Sequence, residues 1–155
     1  MRTTANKTSK AQAQAQAPKV QTTTAEAANY IYNETQSKLS RLDAQLERDL
    51  RDLNADFLSR FTWAAKDIYI ASYQKKLYTY LLRELNAADS FHYAHALDIV
   101  IEEMERYTSK SYNVRSSSTC MLSNETSTWE FMQRLDFIET LKNYKKYYLL
   151  TLQSN

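Results

Sequence analysis

The side chains best able to do chemistry sit close together: Asp89, His92, His95 and Asp98, spaced three apart. Asp89-x-x-His92 resembles half of a carboxylate-bundle metal site. That architecture needs the acid–histidine pair twice, with further glutamates from facing helices. The chain holds two histidines, both in this stretch, so the second half has no source. The lone Cys120, or a serine, would need a histidine within hydrogen-bond reach and a sharp turn to expose it. Nothing in the spacing supplies either. Glu102 and Glu103 are adjacent, so on a helix they point in different directions. The reading is therefore a non-enzyme with no catalytic residue, metal, cofactor or small-molecule substrate.

Two clusters interleave bases with aromatics: Lys75-Lys76-Leu77-Tyr78-Thr79-Tyr80, and Lys142 to Tyr148. Such mixtures can hold single-stranded nucleic acid through charge and stacking. Lys142, Lys145 and Lys146 are the candidate polyanion contacts. Most of the tyrosines, however, fall on apolar helix faces, where core or interface packing is their expected role.

The elements that position these residues are helices, and the most discriminating number is zero glycines in 155 residues, against a usual share of about 7%. Glycine supplies the positive φ of hairpin turns, phosphate loops and nucleophile elbows. The single proline, Pro18, lies near the N-terminus. A chain without internal breakers favours long helices, so the fold class is all-α.

Residues 1–24 carry Arg2, Lys7, Lys10 and Lys19, no acid and almost no large apolar side chain. They read as a disordered basic tail, because ordering them would bury too little. Their composition partly matches a mitochondrial transit peptide, although a single arginine and the lack of an apolar stripe argue against it. Residues 25–155 form the helical domain. Its first helix is expected over about 25–86, with Thr24-Ala-Glu26 at its start. Leu39, Leu42, Leu46, Leu50, Leu53, Phe57, Phe61, Ala64 and Ile68 recur at spacings of three and four. The 3-4-4 pattern is an eleven-residue repeat near 3.67 residues per turn, hence a straight or slightly right-handed stripe. It runs unshifted through residues 54–64. That continuity favours one unbroken helix over a break near 59–62, which would instead give a four-helix bundle with no unmet surface.

A second helix is expected over about 90–106. Glu102, Glu103 and Glu105 at its end oppose the macrodipole. Residues 107–127, rich in Ser, Thr and Asn, read as a loop. Ser127-x-x-Glu130 has the spacing of a capping box, so a third helix is expected over 128–152.

These lengths point to function. An unbroken first helix would span about 93 Å at 1.5 Å per residue, more than the two shorter helices can cover. The stripe formed by Leu39, Leu42, Leu46, Leu50, Leu53, Phe57 and Phe61 would then stay exposed and need a partner. The sequence reads as a helical scaffold or adaptor subunit of a larger assembly, such as a cytoskeletal one, with a protein partner or a second copy on that stripe. The alternative is a nucleic-acid or chromatin protein that binds weakly through the tail and the C-terminal lysines. No apolar run is long enough to span a bilayer. One cysteine fits a reducing compartment, so the expected location is intracellular, cytoplasmic before nuclear, with mitochondria as the remaining option.

Overall fold

The computed structural model describes residues 23–114 and 121–153, the side chains at 62, 110–114 and 121–124 excepted. The fold is all-α. Four helices follow in order: α1 (Thr24–Ala55), α2 (Phe57–Ala87), α3 (Tyr93–Val114) and α4 (Met121–Leu152), with a 3-10 turn at Ser90–His92 before α3. Of the tail expected over residues 1–24, residues 1–22 lie outside the described chain, while Thr23 caps α1 and Thr24 is its first residue.

Helix α1 is capped by Thr23, not by Thr24. The Thr23 hydroxyl accepts from the Glu26 amide, and the Glu26 carboxylate accepts from the Thr23 amide at 2.7 Å. This is the capping-box spacing of three, which Thr24 and Glu26 do not have. The unbroken first helix is corrected at Asp56. There the backbone leaves the helical region (φ −148°, ψ 73°), and the Asp56 carboxylate accepts from the Ser59 amide to cap α2. One residue with a short acceptor side chain ends one helix and starts the next. The break comes before the 59–62 segment, and no glycine is needed because no positive φ is used.

Helix α2 folds back along α1. Lys75 pairs with Asp43, and Lys38 lies over the Tyr78 ring, which sets the two helices antiparallel. Lys142 with Glu105 and Lys145 with Asp98 set α3 and α4 antiparallel as well. Tyr69 with Glu130, and Tyr73 with Arg134, run in the same direction along α2 and α4. The result is an up-down-up-down bundle of two hairpins.

The expected loop at 107–127 is also corrected: α3 continues to Val114 and α4 is already helical at Met121, leaving 115–120 outside the described residues. Ser, Thr and Asn are only mildly unfavourable in helices, and 107–127 holds neither Gly nor Pro. Ser109 and Thr108 return their hydroxyls to carbonyls one turn back. The Ser127–Glu130 motif therefore lies inside α4. Glu130 instead accepts from the Tyr69 hydroxyl and neighbours Arg134. Glu102, Glu103 and Glu105 are likewise mid-helix, where Lys142 takes Glu105 and the Tyr80 hydroxyl takes Glu103.

The core sits at one end of the bundle. Ala27, Ala28 and Ile31 of α1 meet Leu81 and Leu85 of α2, Leu97 and Val100 of α3, and Leu141 and Tyr148 of α4. Tyr148 is fully buried, and its hydroxyl donates to the Ser90 carbonyl at 2.6 Å, tying α4 to the 3-10 turn. At the other end burial stops. No described residue between Leu42 and Ala71 is buried.

Three tyrosines give a prediction about alkaline stability. Tyr69, Tyr80 and Tyr144 are pushed up from their ordinary value of 10 to about 12. Burial is the largest cause in each; the Glu130 and Glu103 carboxylates add to it at Tyr69 and Tyr80, and neighbouring Tyr78 at Tyr144. A group whose pKa is raised by folding stabilises the fold fully below its unfolded value. That contribution is lost as pH climbs through the folded value. Stability should therefore fall between pH 10 and about 12, with these phenols ionising late. Tyrosinate absorbance recorded beside circular dichroism checks this. Ionisation of every tyrosine near pH 10, with no loss of helix, would contradict the packing described for them.

Candidate protein-interaction surface

The apolar row singled out in the sequence divides into three parts. Leu42 is buried, and Leu39 and Leu46 are half-buried against the core, because α2 covers them. Leu50 and Leu53 line a groove of about 370 Å³ between α1 and α2, facing Ala65 and Ile68. Phe57 and Phe61 remain half exposed at the start of α2, their rings 5.0 Å apart. Only the last two parts are open to a partner. The inner part is what a hairpin requires, since a stripe on α1 needs a stripe on α2 to close against it.

Two residues off the row complete the surface. Leu58 is 93% exposed and Trp63 80% exposed. Periodicity gives no reason to select them, because they lie outside the 3-4-4 positions. The signal that does exist is two large apolar side chains where a monomeric helix would place polar ones. At 100° per residue, Phe57, Leu58 and Phe61 fall within one arc of about 100°, while Trp63 lies on another flank. The arc exposes a few hundred Å², in the range of the largest patch on a typical monomer, which is often functional.

Local contacts close the turn at the tip. Asp56 caps α2 through Ser59, whose hydroxyl first and amide second hold its carboxyl below the usual carboxylate range. Arg60 reaches back to Asp52 at 3.2 Å, but both side chains are more than half exposed, so the pair adds little. Farther along, Lys66 sits over the Trp129 ring, Trp129 packs edge-on against Tyr69, and Gln74 donates to Gln133. These contacts fix α4 against α2 just below the tip.

No known family, curated protein or solved structure matches this chain.

The other candidate residues are placed as follows. Lys142 and Lys145 are held by Glu105 at 2.7 Å and Asp98 at 2.6 Å. Lys146 is exposed beside them, and the three share a shallow pocket with Leu149 and Leu150. Asp89 is occupied in capping the 3-10 turn, accepting from the Phe91 amide and the Ser90 hydroxyl. His92 and His95 flank a small pocket with Glu84 and Asp89. Among the described residues no group of three His, Cys, Asp or Glu converges as a metal site would. Cys120 lies outside the described residues. No helix among them is long and apolar enough to cross a membrane.

The pairing of the lysines leads to a binding prediction. A protein that neutralises Z phosphates loses affinity for duplex DNA with a log–log salt slope near −0.9Z. Two of the three lysines already face carboxylates, so net contacts should be few. Binding to labelled duplex or single strands should be micromolar or weaker at physiological salt, as is typical of non-specific binders. Nanomolar binding that falls steeply with salt and vanishes on changing Lys142, Lys145 and Lys146 to Ala would overturn this.

Proposed function

We propose that this protein is a non-enzymatic helical interaction module, a subunit or adaptor of a larger assembly, which engages a protein partner through the apolar end of the α1–α2 hairpin. The observation that carries the reading is the asymmetry of the bundle. All of the described buried core lies toward one end, while Phe57, Leu58, Phe61 and Trp63 stand exposed at the other. A module that needed only to fold would place polar residues there, and exposed apolar arcs of this size mark interaction sites. Aromatic side chains suit the role, since they bury large area with few rotatable bonds and are enriched where binding energy concentrates.

Affinity capture from the native cell tests it, with the wild type beside Leu58→Asp as baits at low and high salt. Association that rests on buried apolar area persists at high salt. A protein retained by the wild type in both conditions and lost from the variant supports the proposal. Identical captured proteins from both baits would reject the tip as the binding surface.

A further inference from the structure

The turn at Asp56 has a second use. Backbone bonding follows helical spacing up to Asp56, whose amide donates to the Asp52 carbonyl at 3.2 Å. It resumes with the Arg60 amide donating to the Asp56 carbonyl at 3.2 Å. In between, Phe57, Leu58 and Ser59 are the first residues of α2, so their amides have no carbonyl one turn back. The Ser59 amide has the Asp56 side chain instead. Straightening the chain here gives up that cap and returns three amides to a continuous helical ladder. The apolar row already runs across this point without a change of phase.

The register of the hairpin supplies the partner. Asp43 pairs with Lys75, and these two residues lie equally far from Ser59 along the chain. Leu50 and Ile68, and Leu53 and Ala65, are also equidistant from Ser59 and line one groove. In the closed hairpin this register cannot be followed through the turn. In two straightened chains lying antiparallel it continues through the centre, and there it places Phe57 of one copy opposite Phe61 of the other, and Phe61 opposite Phe57. That contact is self-complementary about a two-fold axis, as an interface between identical chains must be.

We infer that a second copy of this chain is an occupant of the Phe57–Phe61 face, through exchange of α1 between two molecules. Each α1 leaves its own α2 and packs on the partner's α2, remaking the α1 contacts that lie away from the turn; the Asp52–Arg60 pair is given up with the cap. Thr24 to Ala87 becomes one helix of roughly 95 Å at 1.5 Å per residue, with a bundle at each end. The new contacts are the central aromatic ones and the recovered ladder bonds; the cost is the lost freedom of a second molecule, so exchange grows with concentration. Exchange hides the face that the closed monomer offers to a partner protein, so the two compete, but neither depends on the other.

The test is made on the full chain with Cys120→Ser, Asp43→Cys and Lys75→Cys. Samples at rising concentration are treated with a short bismaleimide, and monomer and dimer fractions from size exclusion are run on a denaturing gel. In the closed hairpin the two thiols belong to one chain, and in the exchanged dimer they belong to two. We expect the monomer fraction to run as single linked chains and the dimer fraction as covalent dimers. Asp56→Ala, which removes the cap, should raise the dimer fraction several-fold, and a flexible Gly-Ser insertion after Asp56 should abolish it. A dimer fraction made only of internally linked chains would show closed hairpins in contact and overturn exchange. So would a chain that stays monomeric at every concentration in both the parent and Asp56→Ala. A monomer that still captures a protein through Leu58 would sink the exchange and leave the proposed function standing.

Discussion

Leu97→Ala and Tyr148→Ala are each expected to remove about 3 kcal/mol of stability, within the 2–5 kcal/mol range for emptying a packed core site. Both side chains are fully buried, at the end where all four helices meet. Tyr148 also carries a polar duty, because its hydroxyl donates to the Ser90 carbonyl. Tyr148→Phe should therefore cost about 0.5–1.5 kcal/mol, the net worth of one hydrogen bond to a part-buried carbonyl. Total stability of a domain is only about 5–15 kcal/mol, so the alanine variants should unfold at clearly lower denaturant. The contrast lies at the other end. Leu58→Ala and Trp63→Ala should shift stability by no more than about 0.5 kcal/mol, as exposed substitutions do. Chemical denaturation of the five proteins checks both halves. Equal losses at tip and core would mean that the tip is packed interior and not a free surface.

Phe57→Glu combined with Phe61→Glu should abolish partner binding while helicity and the unfolding midpoint stay close to wild type. Both rings are about half exposed and touch each other rather than the core, so charge at these sites meets water. An aromatic at the centre of an interface commonly contributes about 2 kcal/mol or more, roughly thirtyfold in affinity for each ring lost. Introducing a carboxylate adds a desolvation cost on the bound side only. The combined loss should therefore exceed a hundredfold, on the scale of about 2.8 kcal/mol. The expectation fails if the double variant binds the captured protein as tightly as wild type, or if it unfolds.

How much of this was readable in the residues depends on what signal each feature leaves. The helical class follows from absent glycine and from the 3-4-4 spacing, and both survive folding unchanged. The break at Asp56 leaves almost no periodic signal, since the apolar phase passes straight through it. Its only trace is Asp56 placed three residues before Ser59, a cap spacing that polar helix surfaces also show. The missed break changed the reading of the site. Leu39, Leu42 and Leu46 belong to the hairpin's own seam, and an unbroken helix would have left them bare. Leu58 and Trp63 escaped because exposure of an off-phase residue depends on what packs nearby. The ends of α3 and α4 were hidden by composition, since Ser and Thr run on in a helix when neighbouring helices support it.

The most direct measurement places a photo-crosslinking amino acid at Leu58 and, separately, at Lys146, in the full chain expressed in its native cell. Both positions are exposed, one at the apolar tip and one among the C-terminal lysines. A discrete protein adduct that resists high-salt washing is expected from position 58, and none from position 146. Adducts to protein or nucleic acid from position 146, with nothing from position 58, would contradict it.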